Sequence, residues 1–246
     1  MKDQYVADIG DYGKYGLLRF LSDKRVNIGV NWYRTENDGS NDGKFTDYLK
    51  DERENGDRQY DEKLFNVLRP IAQKEKKSVL DIEKNGIIPN AVFFNKFLSP
   101  DLDKRRKWHE KAKKELLIKN INLIFADPDN GTYRDGKTPP RKVAGKYALL
   151  NELREYYDKG ADVVYYCHKA RRKENAWRQK ISEFNDESHD AKIIVLTFHR
   201  GTQRSYIFAI HPENYKTYDK LLNEFIDGPW GKISVDKKQP PFSREV

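Results

Sequence analysis

The sequence predicts an α/β fold: a three-layer, mainly parallel sheet that ends in an antiparallel hairpin. Two observations carry this. Six short apolar, β-branched or aromatic runs alternate with amphipathic stretches of helix length, and parallel strands need crossovers of about a dozen residues or more. The last two runs, by contrast, are joined only by residues 200–203, with Gly201 in the turn, which allows a hairpin.

The strand runs are 26–33, 91–98, 121–126, 161–167, 191–198 and 204–211. Residues 121–126 and 163–166 are almost continuously apolar, as central strands covered on both faces should be. Between the strands, residues 12–24 set Leu17, Leu18 and Leu21 on one helical face, with Asp11 as a candidate cap. Residues 60–76 carry Leu64, Phe65, Leu68, Ile71 and Ala72, and Pro70 is expected to kink or divide that helix. Ser99-Pro100-Asp101 reads as a helix start, with Ser99 as cap and Pro100 in the first turn. Residues 146–159 bury Leu149, Leu150 and Leu153 and stop at Gly160. Helices over 172–184 and 214–227 complete the set, the second closed by Gly228. Residues 35–61, rich in Asn, Asp, Gly and Glu, read as a loop insertion within a single domain spanning 1–230. Residues 231–246, with Pro240-Pro241, read as an extended or disordered tail.

Composition narrows the function classes. Of 246 residues 37% are hydrophobic and 35% charged, and 47 Lys+Arg against 39 Asp+Glu leave a net charge of +8. No apolar run approaches the roughly 20 residues that cross a bilayer, so no membrane partner is expected. Asp3, Asp8 and Asp11 stand where a secretory leader would be basic and then apolar, which points to a cytoplasmic protein. The single Cys167 excludes an internal disulfide framework, and no Cys/His grouping has structural-zinc spacing. The positive excess suits nucleic acid, DNA or RNA, because Lys and Arg that displace phosphate counterions gain affinity. Two basic clusters are candidates for phosphate contact: Arg105 and Arg106 with Lys107, Lys111, Lys113 and Lys114, and Arg171 and Arg172 with Lys169 and Lys173. Solvated helix faces would have the same composition.

In open parallel sheets ligands bind beyond the carboxyl ends of the strands, so the segments that follow strands matter most. Asp127-Pro128-Asp129-Asn130-Gly131 follows the most apolar run. Its two carboxylates and amide suit a hydrophilic ligand, a divalent metal or a base edge, although the composition also suits an ordinary turn. Cys167-His168-Lys169-Ala170-Arg171-Arg172 follows the next run, with His168 as a candidate base or hydrogen-bond donor. At the N-terminus, residues 8–16 carry Asp8, Asp11, Lys14 and three glycines. No strand precedes them, so neither a dinucleotide fingerprint nor a P-loop is indicated, but Asp11 and Lys14 are candidate ligand contacts. Asp42-Gly43-Lys44 and Asp135-Gly136-Lys137 each match the carboxylate-x-Lys half of a nuclease signature, outside any clear strand.

The order of these elements resembles the Rossmann-like class I methyltransferases, in particular the bacterial enzymes that methylate adenine N6 in large-subunit ribosomal RNA. Residues 10–18 are similar to that family's opening Gly-Asn…Leu-Lys-His stretch, and Asp127-Pro128-Asp129-Asn130 to its Asp-Pro-Pro-Tyr. Asp127-Pro128-Asp129-Asn130-Gly131 also resembles an element shared by a bacterial group to which no function is attached. The methyltransferase resemblance implies an S-adenosylmethionine-dependent enzyme in which Asp127 and Asn130 hold the reacting base. Asn31 and Trp32 would then flank the cofactor, Trp32 by stacking on its adenine. The family's glycine-rich cofactor loop is replaced here by Gly29-Val30-Asn31-Trp32-Tyr33, and Asp129 stands in place of a proline.

Three functions follow as expectations: a nucleic-acid-directed enzyme, with such a methyltransferase as the form the resemblance implies; a metal-dependent nuclease or phosphohydrolase of restriction or phage defence; and a non-catalytic nucleic-acid-binding protein. In the second, Asp127 and Asp129, with Asp8 or Asp11, bind Mg²⁺ and His168 lies nearby.

Overall fold

The computed structural model describes residues 1–40, 43–50, 56–118, 120–134, 136–169, 172–233 and 238–245. Seven strands form one sheet: β1 (Ile28–Asn31), β2 (Val92–Phe94), β3 (Leu123–Ala126), β4 (Asp162–His168), β5 (Lys192–Phe198), β6 (Arg204–Ile210) and β7 (Phe242–Glu245). Their spatial order is β2-β1-β3-β4-β6-β5-β7. The first four are mutually parallel, and β6 runs antiparallel to both β4 and β5. The fold is therefore the expected three-layer, Rossmann-like sheet with an antiparallel hairpin. β1 and β3 lie side by side, with Asn31 opposite Ala126. The chain leaves β1 toward one edge and β3 toward the other, so the sheet's topological switch point lies at their carboxyl ends.

Side chains alternate across the sheet. On one face Val30, Leu123, Phe125 and Val164 pack against α1 (Ile9–Asp23), α2 (Glu62–Ala72), α3 (Val79–Lys84) and the C-terminal helix. On the other, Ile124, Ala126, Val163 and Tyr165 meet α4 (Leu102–Leu116), α6 (Leu150–Tyr157) and α7 (Glu174–Ser182); a single turn, α5 (Arg141–Ala144), precedes α6. The C-terminal helix α8 (Tyr215–Asp227) buries Tyr218, Leu222 and Phe225.

Local chemistry moves several boundaries. α1 begins before Tyr12 because Asp8, not Asp11, is its cap: the Asp8 carboxylate accepts the Asp11 amide at 2.8 Å. α4 is capped by Asp101, which accepts the Lys104 amide at 3.0 Å, so Ser99 and Pro100 precede the helix. Pro70 falls in the last turn of α2, where it lacks the N–H that would bond the Asn66 carbonyl, and the helix stops at Ala72. Residues 35–61 are more than a surface loop in their described part. The Phe45 carbonyl accepts the Ile9 amide at 2.9 Å, and Tyr48, Leu49 and Tyr60 are buried. The tail forms β7, pairing Phe242 with Phe198 and burying its ring. Among the described residues no helix is long and apolar enough to cross a membrane.

Gly10, Gly13 and Gly16 lie on one face of α1, three residues apart. A methyl group at Gly10 would lie 2.1 Å from the Arg204 guanidinium carbon, at Gly13 2.6 Å from the Phe198 ring, and at Gly16 2.1 Å from Trp230. These glycines bring α1 against the sheet and Trp230, which explains the N-terminal glycine pattern by packing.

Candidate functional site

A cavity of about 340 Å³ opens at the carboxyl edge of the sheet, between the N-terminal turn of α1 and the segment after β3. Three sequence stretches meet there. Asp127, Asp129 and Asn130 come from the turn after β3, His168 from the end of β4, and Asp8, Asp11 and Lys14 from α1 and its cap. Arg204, at the start of β6, joins them because its antiparallel strand begins where β4 ends, with His168 opposite Arg204.

The centre of the site is a buried charge cluster. Lys14 Nζ lies 2.6 Å from Asp127 Oδ2 and 2.7 Å from Asp11 Oδ1, and each of these side chains is at most 6% exposed. The Tyr15 hydroxyl donates to Asp11 Oδ2 at 2.8 Å. Burial raises the pKa of both carboxyls, against the pull of Lys14. Burial also opposes the Lys14 charge, but Asp11 and Asp127 outweigh it and hold the amine above its ordinary value. A divalent cation shared by Asp11 and Asp127 would have to displace this ammonium. Among the described residues there is no group of three or more His, Cys, Asp or Glu side chains arranged to hold a metal.

Asp129 points into a second charged corner. Its carboxylate lies 2.9 Å from the Met1 amine and 3.5 Å from Lys2 Nζ, and neither oxygen accepts a well-aligned hydrogen bond. The same amine donates to the carbonyls of Asp127 at 2.9 Å and Tyr33 at 3.1 Å. It thereby spans the carboxyl ends of β1 and β3 and closes the crevice between them.

His168 is half-buried in the cavity wall, and its imidazole has no hydrogen-bond partner among the described residues. Burial, then Arg204 and Arg172, pull its pKa below the usual value, so it is neutral at pH 7 and able to accept a proton. The Asn130 backbone amide donates to the Lys146 carbonyl at 2.9 Å, while its side-chain amide stays unbonded among the described residues. Gly131 makes this turn possible at φ +97°, and a Cβ there would lie 2.7 Å from Cys167 Sγ. We expect Gly131→Ala to lower stability by roughly 2–4 kcal/mol, from backbone strain and overpacking together. Denaturant unfolding measures this, and a loss below about 1 kcal/mol would count against the turn described here.

The other candidate residues lie elsewhere. Asn31 and Trp32, read from sequence as cofactor contacts, are fully buried in this structure. The Asn31 side chain donates to the Tyr156 hydroxyl at 3.0 Å and accepts the Tyr33 amide at 3.1 Å. Trp32 stacks on Phe93 and donates to Glu83 at 2.9 Å. With the glycine loop replaced by these bulky residues, β1 offers no surface to a ligand. Arg105, read as a phosphate contact, is also interior: it pairs with Glu152 at 2.6 Å and is 1% exposed. Arg106 is exposed on α4. Arg172 folds back on the carbonyls of His168 and Lys169. Arg171, and the Asp42 and Asp135 of the two nuclease-like triplets, lie outside the described residues.

Cys167 is buried, and desolvation pushes its thiol up to about 11. The folded protein should therefore leave a disulfide reagent unreacted at pH 7.5 and release one equivalent only on unfolding. Rapid native labelling would contradict that burial.

The sequence analysis named the Asp127 turn, His168, Asp8, Asp11 and Lys14, which this cavity gathers, but gave no role to Lys146, and Arg204 enters from the hairpin. The signal for Arg204 was its position at the first residue of the returning hairpin strand. Comparison with protein-family models and with curated proteins finds no match to this chain.

Proposed function

We propose that the chain is a nucleic-acid-directed enzyme, a base methyltransferase, with the cavity between α1 and the Asp127–Asn130 turn as its site. The observation that carries this reading is the free Asn130 amide and the neutral, unbonded His168 imidazole facing one open cavity at the sheet's carboxyl edge. In this reading Asn130 and Asp127 orient the exocyclic amino group of a base, and His168 receives the proton that the amine gives up on substitution.

The residues that fit S-adenosylmethionine are those of the cavity, not of β1. The volume lies in the range of small-molecule sites, about 300–1,000 Å³. The Asp129 carboxylate, which faces the Met1 amine at 2.9 Å and accepts no well-aligned hydrogen bond, suits a cationic centre that takes the place of this amine. When bound, this cofactor supplies an activated methyl group. Lys14 holds Asp127 in place and opposes the burial that raises its pKa, and Tyr166 and Tyr206 line the wall.

Incubation with labelled S-adenosylmethionine and total RNA or DNA tests the proposal. We expect label in one nucleic acid, with the rate lowered about 10²-fold or more in His168→Gln and Asn130→Ala. Absence of transfer by the folded wild-type chain to any nucleic acid would overturn it.

A further inference from the structure

A second cavity, of about 490 Å³, lies on the opposite helical layer, between α4, α6 and a segment that contributes Arg134, Gly136, Lys137 and Thr138. Its floor carries His109, which is 4% exposed and whose two ring nitrogens both lack a hydrogen-bond partner. Of the charges that act on that ring, Glu152 is paired with Arg105, Glu155 at 3.3 Å is engaged by Lys113 at 2.5 Å, and Glu110 pairs with the same Lys113. Burial lowers the His109 pKa, so the ring is a neutral donor and acceptor. Beside it Arg105 and Glu152 satisfy each other. Leu102, Leu149 and Leu150 add apolar wall.

The rim is different in kind. Arg134 and Lys137 are exposed and have no carboxylate partner among the described residues, and the exposed Arg106, which pairs with Asp103 at 3.7 Å, lines the same cavity. A buried neutral hydrogen-bonding group, apolar walls and a cationic rim together complement a planar polar ring that bears a phosphate.

We propose that this second cavity binds a nucleotide unit, with His109 reading an edge of the base or sugar and Arg106, Arg134 and Lys137 holding its phosphate. The inference rests on the nucleic-acid reading for its biological source only. The rim segment begins three residues beyond Gly131, so one stretch of chain runs from the first cavity to the second. A strand whose target base enters the first cavity would then lodge a second nucleotide here.

The test is titration of the full chain with adenosine monophosphate and, separately, with a twelve-nucleotide single strand, for wild type, His109→Gln and the exposed double variant Arg134→Ala/Lys137→Ala. We expect His109→Gln to weaken binding about tenfold, one hydrogen bond's worth of affinity. The double variant should weaken it further and lower the salt slope for the strand by about 1.4, two phosphate contacts. Binding of the monophosphate alone would assign the cavity to a free nucleotide, and binding of the strand alone to a unit within nucleic acid. If neither ligand binds wild type, or if both variants leave affinity unchanged, the inference is overturned. S-adenosylmethionine binding, measured on the same proteins, separates the two proposals. Its absence beside His109-dependent nucleotide binding removes the methyltransferase reading and leaves this one standing.

Discussion

Glu152→Ala should cost the fold on the order of 3–5 kcal/mol, because it strips a buried cation of its one counter-ion among the described residues. Arg105 reaches Glu152 through Nε at 2.6 Å and Nη2 at 2.8 Å, and it also donates to the carbonyls of Ala144 and Tyr147, each at 2.7 Å. Glu152 in turn accepts the Leu149 amide and the Tyr33 hydroxyl, both at 3.1 Å. The pair thus ties α4, α5 and α6 to the end of β1. Glu152→Gln keeps hydrogen-bonding atoms in place and should lose less. Urea midpoints at constant slope measure both, and a Glu152→Ala loss under about 1 kcal/mol would show that the pair is not holding these elements. The same geometry predicts that Arg105→Ala acts on stability and has no direct phosphate contact to lose.

The second large effect is expected at Lys14. Lys14→Met leaves Asp11 and Asp127 buried without their shared cation, a loss again on the order of 3–5 kcal/mol near neutral pH. Both carboxyls already have raised pKa values in the folded chain, and removing Lys14 raises them further. The folded variant then binds more protons than the unfolded chain over the interval between the unfolded and folded pKa values. Its stability therefore falls as pH rises through that interval and recovers as pH falls. Lys14 itself is held above its ordinary value and stays charged across neutral pH in the wild type. The gap between wild type and Lys14→Met should accordingly narrow from pH 8 to pH 5, as followed by unfolding at each pH. A gap independent of pH would mean that the lost methylene packing, and not the charge cluster, explains the cost.

The six strands expected from sequence were legible because fully covered strands must be apolar, and the hairpin because four residues allow no crossover. The Asp127 turn was legible for a similar reason: it follows the most apolar strand, at the edge where parallel sheets bind ligands. Asn31 ends a strand and Trp32 follows it, yet they point into the two packed layers. Composition could not reveal this, since an aromatic side chain serves a ligand or a core equally well. Arg105 was misread because a basic run on α4 looks like a solvated face, while its partner Glu152 lies 47 residues away in the chain. Strand β7 was missed because a short, proline-flanked segment carries little intrinsic strand signal. Its pairing with β5 and the burial of Phe242 supply what local propensity lacks. The Lys14–Asp127 contact spans 113 residues and had no local signature at all.

The most direct test of the proposed site is a calorimetric titration of the purified chain with S-adenosylmethionine, in the absence of added metal. The site described here predicts saturable binding that is lost in Asp129→Ala and unchanged in Trp32→Phe, because the ligand meets the cavity beside α1 and not β1. No heat of binding to the folded wild-type chain, or binding that survives Asp129→Ala, would contradict it.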